Sequence, residues 1–212
     1  MYNIFGDIMK LLFGTGNKMK YEMMKERLKE LSDIEVIIPK MLDLNLDIVE
    51  DGNTPEENAI IKAKAYFEAT KLPTIAEDSG LYIDKFSEDE QPGLFVKRVN
   101  GKEDLSDEEI LNHYINKLNN YGGESLACYH TGVCLIDESG NIHSDIIEEE
   151  KFLLTTKIYE GERVSGGVLE CISYDINANK YFSERNELDK KKHYEKLDNQ
   201  YRELVKKYIL KK

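Results

Sequence analysis

The 212 residues carry 41% apolar side chains, enough to bury one sizeable core, and a formal charge of −12. That acidity excludes a general nucleic-acid binder, which needs a basic surface to neutralise phosphates, but a few local lysines and a divalent cation can still reverse the potential around a small phosphate ligand. The three cysteines, Cys128, Cys134 and Cys171, lack CxxC spacing and read as buried thiols of a cytoplasmic protein, and no apolar run approaches the roughly 20 residues of a membrane span.

Residues 1–8 lack both the basic and the long apolar stretch of a signal peptide, and read as an extension to a domain over 9–212. Leu11 to Phe13 predicts a short strand that ends in Gly14-Thr15-Gly16. From Asn17 the spacing of Met24, Leu28 and Leu31 predicts a helix, and Ile34 to Ile38 a β-branched strand closed by Pro39. Thr54, Pro55 and Glu57 form a capping box with proline at the first helical position, opening a helix to about Thr70 with Ile61, Ala65 and Ala69 as its apolar stripe.

Leu72 to Ala76 reads as a buried strand, and Glu77-Asp78-Ser79-Gly80 as a tight turn into Leu81 to Asp84. Ser106 and Glu109 cap a second amphipathic helix carrying Ile110, Tyr114 and Leu118. Ser125 to Ile136 and Ile142 to Thr155 predict a long hairpin about Ser139-Gly140-Asn141. A charged helix from about Glu187 to Leu210 carries Leu197, Tyr201, Leu204 and Ile209. The sum predicts an α/β protein with a mixed sheet.

Three polar segments fall where strands end. Gly14-Thr15-Gly16-Asn17-Lys18-Met19-Lys20 is either an ordinary β–α turn capped by Asn17 or an anion cradle, with Lys20 one turn into the helix. Glu50-Asp51-Gly52-Asn53-Thr54-Pro55-Glu56-Glu57-Asn58, leading to Lys62, gathers hard oxygens of the kind magnesium takes beside substrate phosphates. Glu77 and Asp78 follow a buried strand, so their side chains should diverge. Two acids there cost desolvation unless a cation or donors offset it.

TGNKMK (15–20), EDGNTPEENAIIKA (50–63), AEDSGL (76–81) and PGLFVKR (92–98) together resemble the inosine triphosphatase family, the non-standard purine NTP pyrophosphatases. The resemblance implies an ITPase-like α/β fold, with two lobes around a long mixed sheet and a deep cleft between them, usually as a homodimer. It implies that Thr15, Gly16, Asn17 and Lys20 bind the triphosphate with Lys62 assisting, and that Ser79 contacts the phosphate chain. Glu50 and Asp78 would hold Mg²⁺ with Glu77 or Glu57 nearby, and Asp78 would orient or deprotonate the attacking water. Lys20 would assist catalysis, and Arg98 would lie near the site or the dimer contact.

The base-reading segment departs from the family pattern. Over Gly166 to Ile176, Tyr174 and Asp175 match, while Ile172, Ser173 and Ile176 replace an aromatic, a glycine and a proline. Lys190 aligns with the family lysine; His193 followed by Tyr194, or else Glu195-Lys196, takes the place of its His-Arg pair, although a histidine on a charged helix is more often a surface residue. The expected reaction is hydrolysis of (deoxy)inosine- or xanthosine-type triphosphates to monophosphate and pyrophosphate. The alternatives are a same-family pyrophosphatase with another nucleotide, or a nucleotide-binding protein without turnover.

Overall fold

The structure is a computed structural model and describes residues 8–99, 101–102, 104–163 and 167–211. Most of the expected N-terminal extension, residues 1–7, and Gly166 of the base-reading segment lie outside the described residues. Among the described residues eight strands form one mixed sheet: β1 (Met9–Phe13), β2 (Ile34–Ile37), β3 (Thr74–Ile83), β4 (Glu124–Ile136), β5 (Ile142–Glu148), β6 (Phe152–Thr155), β7 (Ser173–Asp175) and β8 (Lys180–Tyr181). The order is β2-β1-β3-β4-β6-β7-β8, with β5 also on β4. The pairs of β1 with β2 and β3 are parallel, whereas β4–β6, β6–β7 and β7–β8 are antiparallel. Among the described residues four α-helices accompany the sheet: α1 (Lys18–Leu28), α2 (Pro55–Thr70), α3 (Asp107–Asn119) and α4 (Glu187–Val205).

The chain divides into two compact units. The first comprises residues 1–78, 131–147 and 196–212, and the second residues 79–130 and 148–195. In the first, Leu12, Ile37 and Tyr66 form one apolar cluster and Ala59, Ala63, Ala76, Cys134 and Ile136 another. The second is built on Leu81, Ile83, Leu118, Phe152, Leu154 and Ile172. All three cysteines are buried and free. Among the described residues no helix is long and apolar enough to cross a membrane.

Four local expectations change. Residues 77–80 are not a turn: β3 runs unbroken from Thr74 to Ile83. Gly80 is there for proximity, because Leu81 and Gly93 exchange two backbone hydrogen bonds of 3.0 Å and a Cβ on Gly80 would lie 3.0 Å from the Gly93 carbonyl carbon. The buried face of α2 is Ala59, Lys62, Ala63 and Tyr66, not the Ile61 stripe, since the small alanines let the backbone approach the sheet and a lysine is enclosed with them. That approach is tightest at Gly132 of β4, where an added Cβ would stand 2.3 Å from the Glu56 nitrogen. The second arm of the hairpin is split into β5 and β6 by residues 149–151. On α4 the buried positions are His193, Leu197, Tyr201 and Val205, with Leu204 only partly covered.

Candidate active site

The first polar loop leaves β1 at Phe13 and enters α1 through Asn17. Asn17 Oδ1 accepts from the Met19 and Lys20 backbone N–H groups at 2.8 and 3.3 Å, and Thr15 Oγ1 accepts from the Asn17 N–H at 3.1 Å. These two side chains therefore shape the loop. Gly16 is exposed, and an added Cβ there would meet nothing within 4 Å. No acid occupies the first turn of α1, while Lys18 and Lys20 do, so the positive end of the helix dipole is reinforced rather than cancelled.

Strand β3 then supplies two successive carboxylates, and alternation along the strand sends them apart. Glu77 is buried: its Oε1 lies 3.4 Å from Lys20 Nζ, and its Oε2 accepts from Tyr201 Oη at 2.5 Å and Arg27 Nη1 at 3.4 Å. Burial alone would push this carboxyl up; the Lys20 and Arg27 charges and the Tyr201 hydroxyl outweigh it and hold the group ionised, below the usual carboxylate range. Both oxygens are thus engaged by cationic or hydroxyl donors.

Asp78 faces the second loop. Its Oδ2 accepts from Asn58 Nδ2 at 2.9 Å, and its Oδ1 lies 3.4 Å from Lys62 Nζ. The same ammonium lies 2.8 Å from Glu50 Oε2. Two hard-oxygen carboxylates from separate segments thus converge on one positive charge, the donor chemistry that Mg²⁺ uses when substrate phosphates complete its shell. Glu57 does not join them. Its carboxylate accepts from the Asn53 N–H at 2.6 Å while its own N–H is capped by Thr54 at 3.1 Å. Asn58 Oδ1 also accepts from the Gly52 N–H at 2.8 Å, so one buried amide ties the Glu50 loop to Asp78. Ser79, the next residue of β3, is half-buried.

The expected base-reading residues lie in the second unit. Tyr174 is half-buried, donates to Asn179 Oδ1 at 2.8 Å and stands edge-on to Tyr181 at 5.2 Å. Asp175 is 3% exposed and lies 3.4 Å from Arg185 Nη1 and 3.1 Å from His193 Nδ1. His193 is therefore enclosed rather than on the surface. Burial and the Arg185 charge lower its pKa, against the opposing pull of Asp175 and Glu150. Lys190 pairs with Glu187 one turn back on α4 at 3.0 Å, and Arg98 lies 5.3 Å above the Phe95 ring.

Arg27, Asn58, Tyr201 and Arg185 were not singled out from the sequence. Only Asn58 carried a signal, its place inside the second polar segment. The partners of the other three lie 50, 124 and 10 residues away, where no spacing rule reaches.

Known proteins match a span of the chain that includes the three polar segments. A family model described as the Ham1 family matches residues 11–167. A dITP/XTP pyrophosphatase of Leptospira interrogans is 35% identical over 131 residues, 61% of this chain and 64% of its own length. One from Aquifex aeolicus is 43% identical over 90 residues, covering 42% of each. The chain thus spans less than two thirds of the length of these curated relatives. The structure of a HAM1 protein from Coxiella burnetii superposes with a TM-score of 0.73 at 26% identity, covering 94% of this chain and 99% of that one.

Proposed function

This chain belongs to the Ham1 family, and from that premise we propose that it is a nucleoside triphosphate pyrophosphatase, releasing pyrophosphate and a monophosphate from inosine- or xanthosine-type purine triphosphates. One observation carries the reading: consecutive carboxylates of β3 hold two lysines from two helices, Glu77 with Lys20 and Asp78 with Lys62. Two cations and a helix N-terminus without acids make a place for a polyphosphate in an otherwise acidic protein. The curated relatives named dITP/XTP pyrophosphatases support the substrate class.

Hydrolysis of a phosphoanhydride needs positioning and charge neutralisation more than a covalent nucleophile. In this reading the α1 N-terminus and Lys20 bind the phosphates, Lys62 neutralises them, and Ser79 contacts the chain. Asp78, oriented by Asn58, positions the water and accepts its proton as the oxygen attacks the α-phosphorus. The bond to the bridging oxygen breaks and pyrophosphate leaves with its electron pair. Mg²⁺, held by Glu50 and Asp78, would supply further neutralisation of the phosphate oxygens. Assembly as a homodimer and a cytoplasmic location belong to the same proposal through the family.

A second reading, the same reaction with looser base choice, draws on Asp175. Its carboxylate is sealed against Arg185 and His193, which leaves it poorly placed to read a base edge, and polar readout carries most discrimination. Pyrophosphate release from a panel of triphosphates, with and without Mg²⁺, separates the readings. Release from ITP and XTP but little from ATP or GTP supports the first. Comparable rates across bases support the second. Silence on the whole panel refutes both and leaves nucleotide binding without turnover.

A further inference from the structure

In the first unit the buried Glu77 meets side chains from two helices, and the proposed reaction uses only one of them. Lys20 and Arg27 reach it from α1 and Tyr201 from α4. Arg27 is itself fixed from several sides. Its Nε donates to Asp198 at 3.0 Å, its guanidinium lies 4.5 Å over the Tyr201 ring, and its carbonyl accepts from Arg202 Nη1 at 2.8 Å. The carboxylate is gripped on Oε2 by two donors and leaves Oε1 to a third, Lys20.

The arrangement is closed at one end and open at the other. Arg27 and Glu77 side chains are 8% and 9% exposed, whereas Lys20 is 35% exposed and stands in the first turn of α1. The tightest contact is the Tyr201 hydroxyl at 2.5 Å, and the Lys20 contact at 3.4 Å is long for an ion pair. Lys20 is thus aimed without being clamped, and much of its charge is left for an incoming anion.

We propose that Tyr201 and Arg27 are positioning residues, which hold the Glu77 carboxylate so that it directs Lys20 toward a bound polyphosphate without neutralising it. The proposal rests on the assignment of Lys20 to the phosphates made above. It extends the site from the N-terminal motifs to the C-terminal helix, through a hydroxyl that never touches substrate.

Tyr201→Phe keeps the ring against Arg27 and removes only the hydroxyl. Freed of its strongest donor, Glu77 closes on Lys20. The dissociation constant for inorganic tripolyphosphate, measured by titration calorimetry, should then rise about five- to tenfold, the size of one ordinary hydrogen bond. The KM for nucleotide should rise by a similar factor with kcat within about twofold, the pattern of lost uniform binding. In a Lys20→Met background the same substitution should add nothing, because Tyr201 acts through Lys20. Arg27→Lys, which keeps the charge but cannot hold Glu77 and Asp198 together, should shift both constants the same way. Tyr208→Phe, on the turn that follows α4, should leave them unchanged.

A purely structural Tyr201 would lower kcat through a smaller folded fraction at unaltered KM and dissociation constant. That result, or an equal loss in the Lys20→Met background, overturns the proposal. If the wild type binds tripolyphosphate but releases no pyrophosphate from any nucleotide, the pyrophosphatase reading fails while the binding comparison still decides the role of Tyr201. A wild type that binds no tripolyphosphate refutes both.

Discussion

The two units enclose similar ingredients, a carboxylate between cationic groups, and arrange them to opposite effect. In the first, Lys62 lies between Asp78 and a Glu50 side chain that is 41% exposed, and Lys20 is open on one side. A ligand can approach these pairs from the exposed side, at Glu50 and Lys20. In the second, Asp175 and Arg185 are each 3% exposed, and Arg185 lies 3.6 Å over the Phe182 ring. There the charges are already withdrawn from water, and their pairing stabilises the folded chain only relative to a broken pair. A charged cluster therefore becomes a site when one end of it remains wet.

The largest effect that would break this contrast concerns Asp78. Asp78→Asn removes the proton acceptor while keeping an amide-sized neighbour for Lys62. Pyrophosphate release should fall about a thousandfold, within the range for loss of a general base, and tripolyphosphate binding should remain measurable by calorimetry. Near-normal turnover would remove Asp78 from the chemistry. Next in size, Arg185→Met leaves Asp175 buried without its guanidinium. Asp175 keeps His193 and the Asn177 and Ala178 N–H groups, so denaturant unfolding should show a loss of about 1.5–3 kcal/mol, that of one hydrogen bond to a charged group. Tripolyphosphate affinity should be unchanged, since that loss falls in the second unit. Stability within about 0.5 kcal/mol of the wild type, the range of ordinary surface changes, would mean that the pair is not sealed.

Asn58→Ala tests the tie between the Glu50 loop and Asp78. Releasing both partners of one buried amide should cost about 1–3 kcal/mol of stability. Turnover should drop by about ten- to a hundredfold through misplacement of Asp78. A variant that loses stability but keeps its turnover would show that Asp78 holds its place without Asn58.

How far the sequence revealed these regions follows the same division. Loop chemistry is local, so the caps of Asn17, Thr54 and Ser106 and the starts of α1, α2 and α3 were legible. The divergence of Glu77 and Asp78 followed from strand alternation alone, even though the segment itself was read as a turn. That misreading arose because Asp-Ser-Gly favours turns locally, while the pairing of Leu81 with Gly93 holds the strand straight. The face of α2 was misjudged because Lys62 sits on it, and apolar periodicity discounts a buried lysine. Tyr201 looked like one more apolar position on a charged helix, and its hydroxyl gained meaning only with Glu77 beside it. His193 is the clearest case. On α4 its neighbours are Lys190, Lys191, Lys192 and Tyr194, and nothing in that run announces the buried Asp175 that it meets.

The smallest expected effect is also the most specific to His193. Burial and the Arg185 charge lower its pKa in the folded protein, so the folded state favours the neutral ring. The groups facing it are Asp175 and Glu150, which favour protonation, and Arg185, which opposes it, with Phe182 and Tyr194 packed edge-on. The unfolded chain takes up the proton near the ordinary histidine value, about pH 6.5. Stability from the neutral ring is present above that value and is lost as the pH falls from it toward the lower folded value, because the unfolded state binds more protons there. Melting temperature should therefore decline between pH 7.5 and 5.5, and His193→Gln, which cannot titrate, should make that decline shallower. The comparison must be made as wild type minus variant, because His113 is also lowered by burial and contributes a slope of the same sign. An identical slope in the two proteins would mean that His193 reaches water and titrates as a surface histidine. The second unit would then resemble the first more than its burial indicates, with Asp175 open to a ligand after all.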